Sequence, residues 1–331
     1  MESQALKARI PTVSIFSEIE GDLPQVEAYV EATLAAKDPL LVEISTYLLR
    51  AGGKRLRPAL VLLAAKAYSY DLPRLLPVAT AVELIHMATL VHDDVVDHSR
   101  LRRGRPTVNA KWSDAFSVLA GDYLFAKSFS LLAQTGNNEL VRIMSEVVYE
   151  MSTGEIEQLA SAFDLSQTQA DYFERIRQKT GFFIAESCRL GAVAVGAPVH
   201  VVEALTRYGS GLGMGFQVID DILDFTATTA KLGKPIGSDL RAGLLTLPVL
   251  HALQVSPRAE ALQRIIETRD VTDARAEEAV GIIREAGSLE YTFQTAQRFI
   301  QEAKAAVAEL PDTPARANLA AVADFVLERE F

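Results

Sequence analysis

An acidic motif at the end of a long apolar run constrains this chain more than any other sequence feature. Residues 79–91 contain neither Gly nor Pro, and after His92 the motif Asp93-Asp94-Val95-Val96-Asp97 begins. If the helix continues through the motif, Asp93 and Asp97 lie one turn apart on one face. Carboxylates placed this way repel each other unless a cation lies between them. Hard oxygen ligands with room for water favour magnesium, whose other ligand is usually a phosphate.

A solvated acidic turn would be the simpler interpretation of a single motif of this kind. The same spacing recurs, however, in Asp220-Asp221-Ile222-Leu223-Asp224, which ends a second apolar segment. Two copies, each at the end of an apolar helix, are hard to explain by solvation. We therefore predict that the two motifs face each other across a central cavity.

Basic side chains lie close to the first motif in the sequence. Arg102 and Arg103 follow it, and guanidinium groups match the geometry of phosphate oxygens. Upstream, Gly52-Gly53 ends a helix and the segment from Lys54 to Pro58 begins the next one. Cations at a helix N-terminus reinforce its preference for anions. A basic surface loop is the alternative, and we favour an anion site because the acidic motifs are present.

Composition and periodicity predict one large all-α domain. The chain has 331 residues, 49% of them hydrophobic, and it shows no convincing strand alternation. We expect residues 1–14 to form a tail and residues 15–331 to form a single helical bundle around the cavity. The predicted helices cover residues 15–36, 40–49, 59–68, 75–96, 109–132, 140–160, 172–195, 199–225 and 244–253, with three more between 259 and 330.

Other sequence features exclude or disfavour several classes of protein. The net charge of −10 argues against general nucleic-acid binding, and the single cysteine, Cys188, excludes an intrachain disulfide. Gly209 to Gly215 contains GxGxxG-like spacing, but no strand precedes it, so close helix packing is favoured over dinucleotide binding. The first residues lack the pattern of a signal peptide and no apolar run is long enough to span a membrane, so we expect a cytoplasmic protein.

Taken together, these motifs resemble those of the trans-isoprenyl diphosphate synthases, also called polyprenyl synthetases. The resemblance spans residues 52–248, with the motifs in the family's order. They are Gly52-Gly53-Lys54-Arg55-Leu56-Arg57-Pro58, the first acidic motif with Arg102-Arg103-Gly104, Lys179-Thr180-Gly181, and Phe216-Gln217 with the second acidic motif and Gly233-Lys234.

The resemblance implies an isoprenoid synthase fold, a homodimer and three Mg²⁺ ions between the acidic motifs and an allylic diphosphate. Asp93, Asp97 and Asp220 would hold metal, with Asp94, Asp221 and Asp224 in support. The implied isopentenyl diphosphate site consists of Lys54, Arg57, His86 and Arg103. The implied allylic diphosphate site consists of Arg102, Lys179, Thr180, Gln217 and Lys234. The catalytic set would be the six aspartates with Lys179 and Lys234.

The resemblance also implies a product length. Bulky aromatic residues four and five positions before the first acid stop elongation early in this family, whereas here those positions are Thr89 and Ala88. We therefore expect a long-chain all-trans polyprenyl diphosphate synthase. Ala88 could instead be small only because of helix packing, which leaves a farnesyl or geranylgeranyl diphosphate synthase as the alternative. Peripheral membrane contact for product release also stays open.

One departure from the family pattern concerns the segment Asp239 to Pro248. Leu244 occupies a position where lysine is common, so one phosphate contact is missing or another cation such as Lys231 replaces it.

Other functions compete with this interpretation. A class I terpene cyclase would normally lack the Gly52–Arg57 anion site and the second acidic motif. A non-catalytic partner subunit would tend to lose the acidic motifs, whereas the catalytic subunit of a heteromeric synthase would keep them. A purely structural helical protein would leave the paired motifs unexplained.

Overall fold

The computed structural model describes residues 15–35, 38–50, 53, 55–226, 236–269 and 271–328. This part of the chain is almost entirely helical, as the sequence predicts. Its helices are α1 (Leu23–Leu34), α2 (Pro39–Arg50), α3 (Leu56–Lys66), α4 (Leu72–Val96), α5 (Val108–Lys111), α6 (Asp114–Gln134), α7 (Asn138–Ala160), α8 (Gln169–Ile176), α9 (Phe182–Ala194), α10 (Val199–Thr226), α11 (Ser238–Arg241), α12 (Leu247–Val255), α13 (Ala259–Glu267), α14 (Asp273–Glu285), α15 (Ser288–Ala308) and α16 (Pro314–Leu327).

Four helices, α3, α4, α9 and α10, form the centre of the bundle. Residues 59–65 of α3 are completely buried, which matches their uniformly apolar sequence. α4 packs against α6, α3 packs against α9, and α10 packs along α9 and α15. The two helices that carry the acidic motifs, α4 and α10, are therefore both central elements supported on several sides.

Glycines in α10 allow unusually close contacts with neighbouring helices. A Cβ at Gly209 would lie 2.6 Å from Ala185 Cα, and a Cβ at Gly213 would lie 2.8 Å from Gly181 Cα. Any side chain at either position would push α10 away from α9 and from the Lys179–Gly181 turn. The prediction that these glycines serve helix packing is confirmed.

Two predicted helices are interrupted, and the reasons are local. The predicted helix over 109–132 is wrong because α5 ends before Trp112 and α6 begins after Ser113, whose Oγ accepts a hydrogen bond from Phe116 N. The predicted helix over 172–195 contains a π-helical turn, Arg177–Gly181, between α8 and α9. Single π-helical turns occur frequently at functional sites.

Other boundaries differ at the two ends of the described chain. Residues 15–22 form turns, and α1 begins only at Leu23, where Pro24 suits the first helical turn. Four helices, α13 to α16, occupy the C-terminal region in place of the predicted three. Residues 1–14 lie outside the described residues, so the domain boundary at residue 15 stays a prediction.

A small β-hairpin follows the first acidic motif, where no strand is predicted. Its strands β1 (Leu101–Arg102) and β2 (Arg105–Pro106) are antiparallel and have two residues each, too few for a visible alternation. Arg103 and Gly104 both have positive φ, as in a type I′ turn. The hairpin therefore presents Arg103 at its tip.

Two helices are long and apolar enough to span a membrane by length and composition alone. In α4 the relevant window is 67% buried inside the bundle, as expected for a core helix. In α6 it is only 39% buried, so α6 exposes much of its apolar surface.

Candidate active site

The first acidic motif ends α4 as predicted. The N–H of Asp97 donates to the carbonyl of Asp93 at 2.8 Å, so the two residues lie one helical turn apart. Asp93 is half-buried and Asp97 is exposed. Asp94 is buried, and its carboxylate accepts a hydrogen bond from Arg102 Nε at 2.8 Å. The Asp94–Arg102 pair therefore orders the start of the hairpin.

The electrostatic environment of Asp93 favours a bound cation. Burial raises the pKa of Asp93 to about 6, with Glu155 and Asp97 also raising it and Lys179 and Arg102 opposing them. Like charges that raise the pKa of a carboxyl in this way are relieved by a cation. Glu155 on α7 was not predicted as part of the site, because no recognisable motif in the sequence of that helix singles it out.

The second acidic motif lies on α10, and two of its three carboxylates are tightly held. Asp221 is buried and accepts hydrogen bonds from Tyr172 Oη at 2.6 Å and from Gln217 Nε2 at 2.9 Å. Burial raises the pKa of Asp221 to about 8, helped by the charges of Asp239 and Asp220. Asp220, in contrast, is half-buried.

Asp224, the last acid of that motif, shapes the turn that leads into α11. Its carboxylate accepts hydrogen bonds from Ser238 Oγ at 2.6 Å, from Ser238 N at 3.1 Å and from Asp239 N at 3.2 Å. Asp221 and Asp224 are therefore both engaged by protein donors. The supporting roles of Asp221 and Asp224 and the metal-binding role of Asp220 stay predictions.

The Lys179–Thr180 turn connects the two motifs. Lys179 Nζ pairs with Glu155 Oε2 at 2.7 Å and influences the pKa of Asp93. Thr180 Oγ1 donates to Gln217 Oε1 at 2.8 Å, and Gln217 donates in turn to Asp221. The π-helical turn thus brings a cation to the first motif and a hydroxyl to the second. Lys234, the other predicted lysine, lies outside the described residues.

Most of the predicted anion site lines a single cavity of about 760 Å³. Arg57, His86, Arg102 and Arg103 contribute to its wall, together with several apolar side chains. A Cβ at Gly53 would lie 3.2 Å from Arg103 Nη1, so the absence of a side chain at Gly53 leaves room for this guanidinium. Lys54 lies outside the described residues.

Arg57 and His86 form a pair deep in this cavity. Arg57 Nη1 lies 3.3 Å from His86 Nε2, which must act as the acceptor because a guanidinium only donates. Burial lowers the pKa of His86 well below its usual range, and the charges of Arg57, Arg103, Arg102 and Arg55 add to the effect. Burial also lowers the pKa of Arg57 to about 10, against the attraction of Glu83 and Asp220.

The cavity contains two further signs of a specific polar site. Arg57 Nε is buried and has no hydrogen-bond partner among the described residues, which suits an anionic ligand. Arg55 is held by Glu83, with Nη1 at 2.5 Å from Oε1, and by Glu27 at 3.2 Å. Glu83 is 4% exposed, and sequence analysis missed it although a lone acid inside the apolar run of α4 was a usable signal.

The two residues linked to product length lie on different sides of α4. Ala88 is fully buried on the face that also carries Ala81 and His92, both of which contact α6. Thr89 is half-buried, and its hydroxyl donates to the carbonyl of His86 at 2.9 Å. Neither residue lines the 760 Å³ cavity, to which α4 contributes Met87 and Leu90 instead. Their role in product length therefore stays a prediction.

The donor set fits a hard divalent cation that shares its coordination with a ligand. No three Asp, Glu, His or Cys side chains among the described residues are grouped closely enough to enclose a metal ion by themselves. Magnesium commonly uses one or two carboxylates, several waters and a substrate phosphate. Asp93, Asp97 and Asp220 supply carboxylate oxygens of this kind, and the cations nearby supply the phosphate half of the site.

The fold and these residues define a class of protein before any comparison. Two acidic motifs on central helices, a buried guanidinium cluster and an apolar-walled cavity describe an all-α enzyme that acts on diphosphate esters.

Comparison with known proteins identifies the family. The Polyprenyl synthetase family matches residues 38–283, and the chain belongs to it. It is a trans-prenyltransferase with the all-α isoprenoid synthase fold. "Heptaprenyl diphosphate synthase component 2" from Geobacillus stearothermophilus is 42% identical over 96% of this chain and 99% of that protein. A geranylgeranyl diphosphate synthase from Methanosarcina mazei is 37% identical over 96% of this chain and 99% of its own length.

Two solved structures are equally similar in backbone. A decaprenyl diphosphate synthase from Rhodobacter capsulatus has a TM-score of 0.90 and 40% identity, covering 95% of this chain and 98% of that one. A polyprenyl synthase from Caulobacter crescentus, complexed with calcium and isoprenyl diphosphate, has a TM-score of 0.90 and 38% identity, covering 95% of this chain and 97% of that one.

Proposed function

We propose that this protein is a Mg²⁺-dependent enzyme that condenses isopentenyl diphosphate head to tail with an allylic prenyl diphosphate, forming a long-chain all-trans polyprenyl diphosphate. The observation that carries the proposal is the connection of both acidic motifs to one turn. Lys179 reaches the surroundings of Asp93, and Thr180 reaches Asp221 through Gln217. A diphosphate bound at this turn would lie between the two sets of carboxylates.

Asp93, Asp97 and Asp220 are the residues that would hold magnesium, with three ions expected from the family resemblance. Bound magnesium would draw negative charge from the allylic diphosphate and so help it to leave. The Caulobacter crescentus structure is a complex with calcium and isoprenyl diphosphate, which supports the use of a divalent cation together with a diphosphate. Lys179 with Arg102, Thr180, Gln217 and Lys234 would bind the same diphosphate and stabilise the charge that develops on it.

The second substrate would bind in the neighbouring cavity. Arg57 and Arg103 line that cavity with His86, and Lys54 precedes them in the same motif. His86 Nε2 accepts a hydrogen bond from Arg57 Nη1. Arg57 Nε has no hydrogen-bond partner among the described residues, so its N–H would donate to a diphosphate. The apolar residues of the wall would hold the isopentenyl group and exclude water from the allylic cation. The proton lost after the bond forms would pass to the departing diphosphate.

A long-chain product is proposed from the similar proteins and from two small residues on α4. Both the heptaprenyl and the decaprenyl synthases resemble this chain closely, and Ala88 and Thr89 are small where aromatic residues would stop elongation. An isoprene unit is roughly as long as one helical turn, about 5 Å, so small residues one turn below Asp93 permit further units. The similar geranylgeranyl diphosphate synthase keeps a shorter product as the alternative.

Assembly as a homodimer is part of the same proposal. Apolar side chains are exposed on α6 and α7, including Leu119 at 64%, Tyr149 at 68% and Ile156 at 67%. Exposed apolar surface on this scale is typical of a protein–protein contact. A second copy of the chain is the proposed partner. Leu119→Glu and Ile156→Glu together should convert a dimer to a monomer in light scattering, and an unchanged mass would contradict the proposal.

A heteromeric enzyme is the second candidate, because the Geobacillus stearothermophilus relative is named as one component of a synthase. In that case this chain would be the catalytic subunit, since both acidic motifs are intact. A cytoplasmic location is proposed from the acidic composition and the single buried cysteine. Peripheral contact with a membrane for release of the apolar product is proposed without an assigned surface, since the exposed apolar face of α6 belongs to the proposed dimer contact.

One assay distinguishes these alternatives. The purified chain is incubated with Mg²⁺, labelled isopentenyl diphosphate and geranyl, farnesyl or geranylgeranyl diphosphate, and the products are sized. Long-chain products from the chain alone support the main proposal. Products of farnesyl or geranylgeranyl length support the shorter-chain alternative, and activity that appears only with a second subunit supports the heteromeric one. No incorporation with any primer or partner would contradict the proposed reaction.

A further inference from the structure

A buried chain of hydrogen bonds lies behind the second acidic motif. It begins at Tyr172 on α8, a fully buried side chain whose hydroxyl donates to Asp221 Oδ2 at 2.6 Å. Asp221 Oδ1 accepts from Gln217 Nε2 at 2.9 Å, and Gln217 Oε1 accepts from Thr180 Oγ1 at 2.8 Å. Three separate segments of the chain, α8, α10 and the π-helical turn, therefore meet in one network.

The polarity of this chain fixes its geometry. Tyr172 and Gln217 both donate to Asp221, as its ionised form requires, and a bound cation would favour that ionised form. With its amide nitrogen committed to Asp221, Gln217 can offer only its oxygen to Thr180, whose hydroxyl then donates. Fully paired buried networks of this kind are rigid, and one missing donor leaves a buried acceptor unsatisfied. Asp221 is 2% exposed, so water cannot readily replace the tyrosine hydroxyl.

Tyr172 is itself firmly placed. Its ring packs edge-on against Phe173, with ring centroids 5.2 Å apart, and the guanidinium of Arg175 lies 5.7 Å from its centroid. Arg175 is anchored by Leu245, whose carbonyl accepts from Nη2 at 2.8 Å. The tyrosine hydroxyl is therefore presented to Asp221 by a rigid part of the bundle.

We propose that Tyr172 is a positioning residue for the condensation reaction. It orients Asp221 and, through Gln217, the Thr180 hydroxyl, so one network aligns the metal-binding side and the allylic-diphosphate side of the site. This inference rests on the proposed function and adds a residue to it. The isopentenyl diphosphate side is held by a different set of contacts, those of Arg55 with Glu83 and of Arg57 with His86. Loss of the Tyr172 hydroxyl should therefore affect one substrate and not the other.

Tyr172→Phe tests this inference, and Tyr208→Phe is a matched control. Tyr208 is also fully buried, lies on α10, and donates its hydroxyl at 2.8 Å to the carbonyl of Leu319, away from both acidic motifs. Each variant loses one buried hydroxyl and keeps its ring. For Tyr172→Phe we expect the KM for the allylic primer and the Mg²⁺ concentration for half-maximal activity each to rise about tenfold. The KM for isopentenyl diphosphate should change less than about twofold, and Tyr208→Phe should leave all three values unchanged.

A binding measurement separates this inference from the proposed function. The thermal midpoint of each variant is recorded with and without Mg²⁺ plus inorganic diphosphate. Wild type and Tyr208→Phe should be stabilised equally by the added ligands, and Tyr172→Phe should be stabilised less. If wild type shows this stabilisation but no condensation, the proposed function is wrong. The positioning role of Tyr172 is still tested in that case, by the difference in ligand-induced midpoint change between Tyr172→Phe and Tyr208→Phe.

A second variant covers the case in which Tyr172→Phe does not fold. Thr180→Val removes the hydroxyl at the other end of the chain, and Thr180 is not a proposed metal ligand. The network predicts that this variant also raises the Mg²⁺ requirement, together with the allylic KM. An unchanged Mg²⁺ requirement in Thr180→Val would overturn the inference. So would equal behaviour of Tyr172→Phe and Tyr208→Phe, or an equal rise in both substrate KM values.

Discussion

Lys179 Nζ lies 2.7 Å from Glu155 Oε2, so the lysine proposed to bind the allylic diphosphate is paired with a carboxylate when no substrate is bound. Both side chains are partly exposed, and such pairs contribute up to about 1 kcal/mol. A diphosphate must therefore compete with Glu155 for the lysine, and Glu155 also helps to raise the pKa of Asp93.

This relationship predicts that Glu155→Gln tightens binding of the allylic diphosphate. Without the competing charge, its Kd should fall about two- to fivefold, as expected from the loss of a partly exposed ion pair. Glu157→Gln is the control, because Glu157 is exposed on the same helix. Weaker binding in Glu155→Gln would mean that the glutamate positions the lysine and does not compete for it.

The hairpin after the first motif offers a matched test of the isopentenyl diphosphate site. Arg103 lines the cavity, whereas Arg105 donates to the carbonyl of Arg50 at 2.8 Å on the outside of the protein. Arg103→Gln should raise the KM for isopentenyl diphosphate by about tenfold or more, since a charge-assisted hydrogen bond contributes about 1.5–3 kcal/mol. Arg105→Gln should leave it unchanged. Steady-state kinetics with each substrate varied in turn would reveal a misassigned site if both KM values rose equally in Arg103→Gln.

Burial of Asp221 predicts a specific dependence of stability on pH. Because the pKa of this carboxyl is raised to about 8 in the folded protein, the folded state binds a proton more tightly than the unfolded state does. The metal-free protein should therefore become more stable as the pH falls through 8 toward the ordinary carboxyl range. Asp93, with a pKa of about 6, adds to the same trend at lower pH.

Asp221→Asn should accordingly stabilise the metal-free protein at pH 8 by on the order of 1–3 kcal/mol while lowering turnover. Denaturant unfolding in the presence of a chelator measures the first effect. A variant that is less stable than wild type at pH 8 would show that the ionised carboxylate contributes more through its hydrogen bonds than it costs through burial.

Product length gives a prediction on α4. Thr89→Phe should shorten the product to about farnesyl or geranylgeranyl length, and Ala88→Phe should do the same with a larger loss of stability. The difference arises because Ala88 is fully buried beside α6, where an added ring overpacks the core, whereas Thr89 is half-buried. Product sizing and thermal midpoints measured together test both statements. Unchanged product length in both variants, with the first condensation intact, would rule out this part of α4 as the length determinant.

Sequence analysis predicted the placement of the first acidic motif because the relevant signals are local. The run before Asp93 contains only helix-compatible residues, so α4 continues to Val96 and Asp97 follows one turn after Asp93. The helix start near Pro58 and the packing role of Gly209 to Gly215 were predicted from equally local features. The hairpin was missed because strands of two residues show no alternation.

Contacts between distant segments could not be predicted in this way. Tyr172 and Asp221 are 49 positions apart, and nothing in the sequence around Tyr172 indicates which carboxylate it meets. The Lys179–Glu155 pair depends on the π-helical turn, which an amphipathic pattern of period 3.6 does not reveal. Such pairings follow from how α7, α8 and α10 pack, which a local sequence pattern does not describe.

In the proposed mechanism both acidic motifs together hold Mg²⁺ on the allylic diphosphate. Isothermal titration calorimetry of a non-ionising allylic thiodiphosphate, with and without Mg²⁺, tests it directly in wild type, Asp93→Ala, Asp220→Ala and the remote control Asp312→Ala. We predict Mg²⁺-dependent binding in wild type and in Asp312→Ala, and binding at least about tenfold weaker in each of the two motif variants. Equal affinity without Mg²⁺, or an unchanged affinity in either motif variant, would contradict a metal site shared by the two motifs.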